Sequence, residues 1–352
     1  MKKILYMMFL ALLCIGTTFG CTVKSDETFV PDSSPAKITV VATLFPQYDF
    51  AREIGGEKAD IRLLLPPGME SHSFEPTPGD IITIHNSDIF LYTGDEMEPW
   101  VSGIVENING MEESENNKSN HSSKTPVIAD LSQGIELYKD EHNHDHGEEL
   151  CEDESHDHEE EPSMNEALIG ESHSHDYNPH IWTSPVLAMT MVENIVGAFI
   201  QADPENESYY RANGDAYLAK LHELDHHFRE IVENADFDTI YVGSKFSLLY
   251  FMEEYGLHHM AAYDSCEEEA EPSIKRVVSM IKSMKESGIS AVYYQELIEP
   301  YIAETIAEAT KGETYLFHSC HNVSRDDLEA GVTYLSLMEQ NAANLEKGLN
   351  NE

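Results

Sequence analysis

Apolar runs rich in β-branched residues alternate with amphipathic stretches along the first half of the chain, a pattern that predicts repeated strand and helix units. The Pro66-Pro67-Gly68 triplet ends one such run, and Thr77-Pro78 provides an N-cap followed by proline at the first helical position. Strands that alternate with helices form parallel sheets, so this half is predicted to be a parallel α/β lobe. Its predicted strands are 37–43, 60–65, 88–93 and 127–130, and its predicted helices are 46–54, 77–86 and 98–108.

The same alternation returns in the last third of the chain, where four more strands are predicted. The predicted strands are 238–243, 258–263, 289–294 and 314–317, and the predicted helices are 246–255, 272–287, 300–310 and 325–345. The fold class predicted from this pattern is therefore α/β, with two parallel-sheet lobes of the (β/α)4 type.

Between the two lobes the pattern is purely helical. One helix is predicted over 185–202, and a second, longer one runs from about 204 to 234. The longer helix carries apolar residues at spacings of four, three, four and three, which places them on one face: Tyr217, Leu221, Leu224, Phe228 and Ile231. Thirty helical residues span about 45 Å, so this helix is predicted to join both lobes as a rigid backbone.

The amino terminus has the pattern of an export signal. Lys2 and Lys3 precede a short apolar run, and small residues lead to Gly20-Cys21. We expect residues 1–20 to be a signal peptide, Cys21 to become a lipidated first residue, and residues 21–37 to be a polar tether at the membrane surface.

The segment 139–176 interrupts the alternation with a strongly polar composition. It holds fifteen acidic residues against one lysine, together with seven histidines: His142, His144, His146, His156, His158, His173 and His175. Such a segment has too little apolar surface to fold, so it is predicted to be a mobile loop. Histidine-rich tracts bind divalent metals, and the repeated H-x-H pairs favour a metal-collecting loop over a solvated acidic linker without a ligand.

The net charge of the chain is -44, and about a third of it lies in that loop. A charge of this sign and size argues against nucleic acid and anionic lipid as partners and favours cations. Solubility alone would also explain it.

Several residues that can bind metals follow predicted strands, at the sheet edge where ligands bind in α/β folds. They are His72, His180, Asp264, Cys266, Gln295, Glu296, His318, Cys320 and His321, with Ser244 and Lys245 at one further strand end. A single histidine in such a position is more often structural, but donors on several strands predict a tetrahedral metal site. Cys266 and Cys320 could instead form a disulfide, because the chain is predicted to be exported.

Several motifs resemble the zinc-uptake substrate-binding proteins of ABC transporters. The motifs, in chain order, are His72-x-Phe74-Glu75-Pro76-Thr77-Pro78, Glu98-Pro99-Trp100, the histidine-rich acidic insertion, Asn178-Pro179-His180-Ile181-Trp182 and Tyr334-Leu335-Ser336-Leu337-Met338. The resemblance covers nearly all of the chain after the signal. It implies a monomeric two-lobed receptor outside the cytoplasmic membrane that holds Zn2+ between its lobes and passes the ion to a permease driven by an ATPase.

The pattern of strands and helices also predicts the domain boundaries. The first lobe is expected over 38–183, the linker with the long helix over 184–236, and the second lobe over 237–352.

Matched to the family's motifs, His72 and His180 are the first two metal ligands. The third position, usually histidine, falls on Lys245, whose ammonium cannot bind a metal. The fourth, usually aspartate, falls on His318, and we predict that Glu296 completes the set.

Cys320 or His321 would replace His318 if the register differs. Three nitrogens and one oxygen suit zinc better than manganese, which sister families bind, so a manganese receptor is the alternative.

A rival function follows from His222-Glu223-Leu224-Asp225-His226, which matches the H-E-x-x-H signature of zinc proteases. The match is weak, because Leu221 and Leu224 face the core and leave His222 and His226 on a solvated flank. We therefore expect a receptor and not an enzyme. Surface adhesion or metal storage would need only the loop and is compatible with the receptor function.

Overall fold

The computed structural model describes residues 37–115, 125–139, 177–263 and 272–350. Residues 37–352 form one compact unit. The predictions for the signal peptide, Cys21, the tether, the seven loop histidines, Asp264 and Cys266 lie outside the described residues.

The first sheet contains four parallel strands in the order β2-β1-β3-β4. The strands are β1 Ile38–Ala42, β2 Ala59–Leu63, β3 Ile89–Tyr92 and β4 Val127–Asp130, and the helices that follow the first three are α1 Phe45–Gly55, α2 Pro78–His85 and α3 Val101–Glu115. Val40 pairs with Ile61 on one side and Ile89 on the other. The prediction of a parallel α/β lobe is confirmed.

Two helices follow, α4 Pro185–Ala202 and α5 Glu207–Asn234. The five apolar residues predicted to share one face of α5 are all buried. This helix packs against α1 of the first lobe. Within the part of the chain described, only α4 is long and apolar enough to cross a membrane, and its inner face lies in the core.

The second sheet repeats the first, with the parallel order β6-β5-β7-β8. Its strands are β5 Thr239–Val242, β6 His258–Ala261, β7 Ala291–Tyr294 and β8 Glu313–Leu316, and its helices are α6 Leu249–Tyr255, α7 Ile274–Ser287, α8 Tyr301–Thr310, α9 Arg325–Ala330 and α10 Tyr334–Asn350. The long helix α5 packs against α6 and α10 of this lobe as well, which fits the predicted backbone helix.

Several predicted helices have different bounds in the structure, and the helix predicted over 98–108 is observed over Val101–Glu115. The helix predicted from 246 begins at Leu249, so Lys245 lies in the loop after β5. The single helix predicted over 325–345 is two, because Gly331 ends α9 with a left-handed φ of 76°. The next helix, α10, starts where the Asp49 carboxylate accepts a 2.8 Å hydrogen bond from the Tyr334 amide.

Buried hydrogen bonds join the two lobes around Trp182, which is fully buried. The Tyr334 hydroxyl donates to the Trp182 carbonyl at 2.7 Å, and the Trp182 indole N–H donates to the Ser319 carbonyl at 2.8 Å. The two lobes also share one continuous apolar core. The carboxyl ends of both sheets are thereby held at a common crevice.

A buried carboxyl group lies below that crevice, at the ends of β1 and β3. Glu98 accepts hydrogen bonds from the Thr43 hydroxyl, the Gln47 amide at 3.2 Å and the Thr93 backbone N–H at 3.0 Å. Burial raises the pKa of Glu98 to about 7, although these hydrogen bonds act in the opposite direction.

The raised pKa of Glu98 predicts a specific dependence of stability on pH. The folded chain holds this proton more tightly than the unfolded chain, so the contribution is complete below about pH 4.5 and is lost as pH rises through about 7. Between pH 5 and pH 8, we expect the free energy of unfolding to fall by roughly 2–3 kcal/mol more in the wild type than in Glu98→Gln. Denaturant titrations at the two pH values measure it, and equal declines in the variant and the wild type would contradict it.

Candidate metal site

Two histidines from separate segments of the first lobe meet at the crevice. His72 lies in the loop after β2, and His180 lies directly before α4. Their Nε2 atoms are 3.2 Å apart. His180 is only 2% exposed, whereas His72 is partly open to solvent. The structure thus brings together the two residues that carried the strongest prediction.

The ring of His180 is fixed from behind by Asn178. The Asn178 side-chain oxygen lies 3.0 Å from Nδ1 of His180 and also accepts the His180 backbone N–H at 3.1 Å. The Asn178 carbonyl accepts a 2.7 Å hydrogen bond from the Tyr250 hydroxyl of the second lobe. Since an amide oxygen can only accept, Nδ1 of His180 carries the proton, and its unprotonated Nε2 faces Nε2 of His72.

The spacing of the two Nε2 atoms suits a shared zinc ion. Two nitrogens at the usual Zn–N distance and a tetrahedral angle are about 3.3 Å apart. The observed separation of 3.2 Å is therefore close to that of two ligands of one ion.

A second polar group lies at the carboxyl edge of the second sheet, where β7 and β8 end. Glu296 Oε1 is 3.2 Å from Nδ1 of His321 and 3.5 Å from Nδ1 of His318. The other carboxylate oxygen of Glu296 accepts the Ser319 backbone N–H at 2.8 Å. Asn341 of α10 holds the backbone of His318 through both its N–H and its carbonyl.

Electrostatics keep this second group charged. Burial opposes ionisation of Glu296, but the neighbouring His318 and His321 outweigh it and hold the pKa of the carboxyl well below its usual range. Burial also lowers the pKa of His318. Burial acts likewise on His321, but its hydrogen bond to Glu296 and the charge of Glu296 outweigh this and raise its pKa. The carboxylate is thus paired most closely with His321.

The two groups are joined by the segment that follows β8. The Asn322 side chain donates to the carbonyls of Pro66 and Met69, at the start of the loop that carries His72. Within the described ranges, no group of three or more His, Cys, Asp or Glu side chains is arranged so that it could hold one metal ion. The structure brings the predicted ligands together as His72 with His180 and as Glu296 with His318 and His321, so the complete four-residue set stays a prediction.

Three other predicted positions have clear surroundings. Lys245 lies half-buried after β5. Its charge partly offsets the rise in the pKa of His321 that Glu296 causes. Cys320 is fully buried, forms no disulfide with another described residue, and has a thiol pKa that burial raises. Its predicted disulfide partner, Cys266, lies outside the described residues, so the disulfide stays a prediction. Gln295 is buried and donates to the Ser247 hydroxyl at 2.5 Å.

The residues that flank the histidine-rich segment lie close to His72 and His180. Lys139 and Tyr177 form an antiparallel bridge, and the Asn178 N–H donates to the Tyr138 carbonyl at 2.9 Å. The described residues on either side of 140–176 are therefore paired three residues before His180.

The protease signature lies on the outer face of α5. His222, Glu223 and His226 are exposed, and Nδ1 of His226 is 3.6 Å from the Glu230 carboxylate one turn away. This agrees with the predicted solvated flank and places these residues on a helix surface and not in the crevice.

Sequence reasoning did not predict roles for Asn178 and Ser319, which hold the histidines. Asn178 was visible within the Asn-Pro-His motif, and an amide two residues before a candidate ligand is a usable signal. Ser319 lies between His318 and Cys320 and had no signal of its own.

Two parallel α/β lobes on a long helix, with a pair of imidazoles at their boundary, define a two-lobed α/β protein with a candidate metal site. The family model described as "Zinc-uptake complex component A periplasmic" matches residues 40–348. The chain belongs to this zinc-uptake family.

Individual relatives agree with that assignment. The chain is 30% identical over 318 residues to the high-affinity zinc uptake system protein ZnuA of Bacillus subtilis, covering 90% of this chain and 89% of that protein. The crystal structure of the metal-dependent lipoprotein YcdH of Bacillus subtilis superposes with a TM-score of 0.67 at 27% identity, covering 89% and 99% of the two chains. The Zn(II)-bound ZnuA-like domain of Streptococcus pneumoniae AdcA shares the fold, with a TM-score of 0.67, 23% identity and coverage of 90% and 100%.

Proposed function

We propose that the chain is an extracytoplasmic receptor that captures Zn2+ in the interlobe crevice and delivers it to the permease of an ABC transporter. The observation that carries the proposal is the 3.2 Å separation of the two Nε2 atoms of His72 and His180. Two imidazoles from different segments, one of them held by a second-lobe hydrogen bond through Asn178, can grip one ion at the junction of the lobes.

Zinc is favoured over manganese by the chemistry of the donors. Imidazole suits zinc, whereas manganese prefers oxygen, and the first lobe contributes two nitrogens and no carboxylate to the pair. The carboxylate of Glu296 is occupied by Ser319 and the histidines of the second lobe. A manganese receptor would need that carboxylate free.

Export and lipid anchoring of this chain are part of the proposal. The family model is described as periplasmic, and the relative YcdH is described as a lipoprotein. With the export signal and Cys21 in the sequence, these favour a receptor tethered to the outer face of the cytoplasmic membrane.

The negative charge and the histidine-rich segment support capture of cations. Lys139 and Tyr177, which flank residues 140–176, pair shortly before His180, so ions held by the segment would be released beside the crevice. Flexible ligands must be ordered on binding, so we propose that the segment binds zinc more weakly than the crevice does.

We propose no catalytic role for the chain.

Metal analysis of a chain that lacks residues 140–176 tests this function. We expect the chain to retain one tightly held zinc after exhaustive dialysis, because the crevice ligands lie outside the deleted segment. The full-length chain and circular dichroism provide the controls for folding. Complete loss of tightly held zinc from a folded deletion variant would contradict the proposal.

A further inference from the structure

We propose that Tyr250 of the second lobe is a positioning residue for His180, and that its hydroxyl acts through Asn178 to slow the release of zinc. The inference rests on the proposed zinc-receptor function and concerns how the second lobe controls that site. Tyr250 lies on α6, and the proposal requires no contact between its side chain and the metal.

The Tyr250 hydroxyl joins two separate segments of the first lobe. It donates its single proton to the Asn178 carbonyl at 2.7 Å and accepts the Tyr138 backbone N–H at 3.1 Å. Asn178 in turn donates its backbone N–H to the Tyr138 carbonyl at 2.9 Å. These three residues, which we call the Tyr250 junction, therefore form a closed set of hydrogen bonds that includes the second lobe.

The Tyr250 junction is shielded from water. Tyr250 is 1% exposed and Asn178 is 2% exposed. The aromatic ring of Tyr138 stacks on that of Tyr250, with the ring centroids 5.0 Å apart and the planes 23° apart. Since a buried carbonyl that loses its donor is costly, the Asn178 backbone is held firmly at both its N–H and its carbonyl.

The position of Asn178 determines the position of His180. The one residue between them, Pro179, has a fixed φ and restricts the backbone of Asn178 before it. The Asn178 side-chain oxygen accepts the His180 backbone N–H and also lies 3.0 Å from Nδ1 of the His180 ring. A displacement of Asn178 would therefore move the His180 ring away from His72, whose Nε2 atom is 3.2 Å from Nε2 of His180.

The helix that carries Tyr250 also supports the residues after His180. It packs against the turn Ile181–Thr183, and all three residues of that turn are buried. The second lobe thus contacts the chain on both sides of His180, through the Tyr250 hydroxyl before it and through α6 packing after it. A shift of α6 away from this segment would remove support from His180, which links zinc release to the junction of the lobes.

A role of the hydroxyl in folding alone predicts a different result. The aromatic ring of Tyr250 belongs to the apolar core that the two lobes share. If the hydroxyl only satisfied two buried backbone groups, Tyr250→Phe would lower the free energy of unfolding and leave zinc affinity unchanged. Positioning predicts a loss of zinc affinity that depends on Asn178.

Tyr250→Phe in the full chain tests the proposal, because phenylalanine keeps the stacked ring and removes the hydroxyl. We expect zinc affinity to fall about tenfold, at the lower end of the range for outer-shell partners of metal-binding histidines. Most of the change should lie in the rate of zinc dissociation. Competition with a chromophoric chelator measures the affinity, and stopped-flow transfer of zinc to that chelator measures the dissociation rate.

Tyr210→Phe is the matched control. Tyr210 is also fully buried, and its hydroxyl donates to Asp203 at the same distance of 2.7 Å. We expect this variant to keep zinc affinity within about twofold of the wild type, because the Tyr210 hydroxyl bonds Asp203 at the end of α4 and not the Asn178 segment. Circular dichroism and denaturant titration of the metal-free chains compare the folding of the two variants.

A double-mutant cycle with Asn178→Ala separates positioning from folding. We expect Asn178→Ala to weaken zinc binding by about 10–100-fold, and Tyr250→Phe to add less than about twofold in that background. Unchanged affinity in Tyr250→Phe, an equal loss in Tyr210→Phe, or fully additive effects in the cycle would overturn the inference while leaving the zinc receptor intact. A wild-type chain that takes up no zinc would overturn the proposed function and the inference together.

Discussion

His180→Ala is expected to lose about 100- to 1000-fold in zinc affinity, the largest effect on binding of any single substitution. Structural zinc sites with four protein ligands have apparent binding free energies of about 10–16 kcal/mol, so one ligand corresponds to about 3–4 kcal/mol. His180 is buried, and Asn178 already orients its ring with the proton on Nδ1. Isothermal titration in the presence of a competing chelator measures the change.

His226→Ala provides the matched control for that experiment. His226 lies within α5, and its side chain is 72% exposed on the outer face of that helix. Zinc affinity of this variant is expected to stay within about twofold of the wild type, since an exposed histidine outside the crevice contributes no ligand. If His226→Ala weakened binding more than His180→Ala, the metal would bind on the long helix, and the result would favour the zinc protease function.

Trp182→Ala is expected to have the largest effect on stability, lowering the free energy of unfolding by about 3–5 kcal/mol. The indole is fully buried between the lobes, and its N–H satisfies the Ser319 carbonyl. Trp182→Phe keeps most of the packing but leaves that carbonyl without its donor, so we expect a loss of about 1–3 kcal/mol. Denaturant titration of the metal-free chains measures both.

The Trp182 variants should also weaken zinc binding, because Ser319 holds Glu296 and His321 in place. Phe199→Ala is the matched control, since Phe199 is fully buried on α4 against Tyr210. It should lose comparable stability while its zinc affinity stays near that of the wild type. A Trp182→Ala chain that unfolds at the same denaturant concentration as the wild type would contradict the role of Trp182 in joining the lobes.

The alternation of strands and helices could be predicted from the sequence because each buried strand is a short β-branched run between clear breakers. The face of α5 followed from the spacing of residues such as Leu221 and Phe228, and both are buried. The division between α9 and α10 was harder to predict, because it depends on a left-handed Gly331 and on Asp49, which lies far away in the sequence.

The site could be predicted only in part. His72 and His180 lie in motifs with strong local signals, and the structure places them together. The second-lobe histidines lie three residues apart in one segment, so their spacing could not show which ring lies closer to Glu296. That difference arises from the Cys320 N–H and the Ser319 hydroxyl, whose directions depend on the backbone turn at Cys320.

A crystal structure of the chain grown with zinc, with diffraction data collected on both sides of the zinc absorption edge, tests the central claim most directly. We predict one strong anomalous peak in the crevice, about 2.0–2.1 Å from Nε2 of both His72 and His180. A peak bound elsewhere, with those two nitrogens still facing each other and no ion between them, would contradict it.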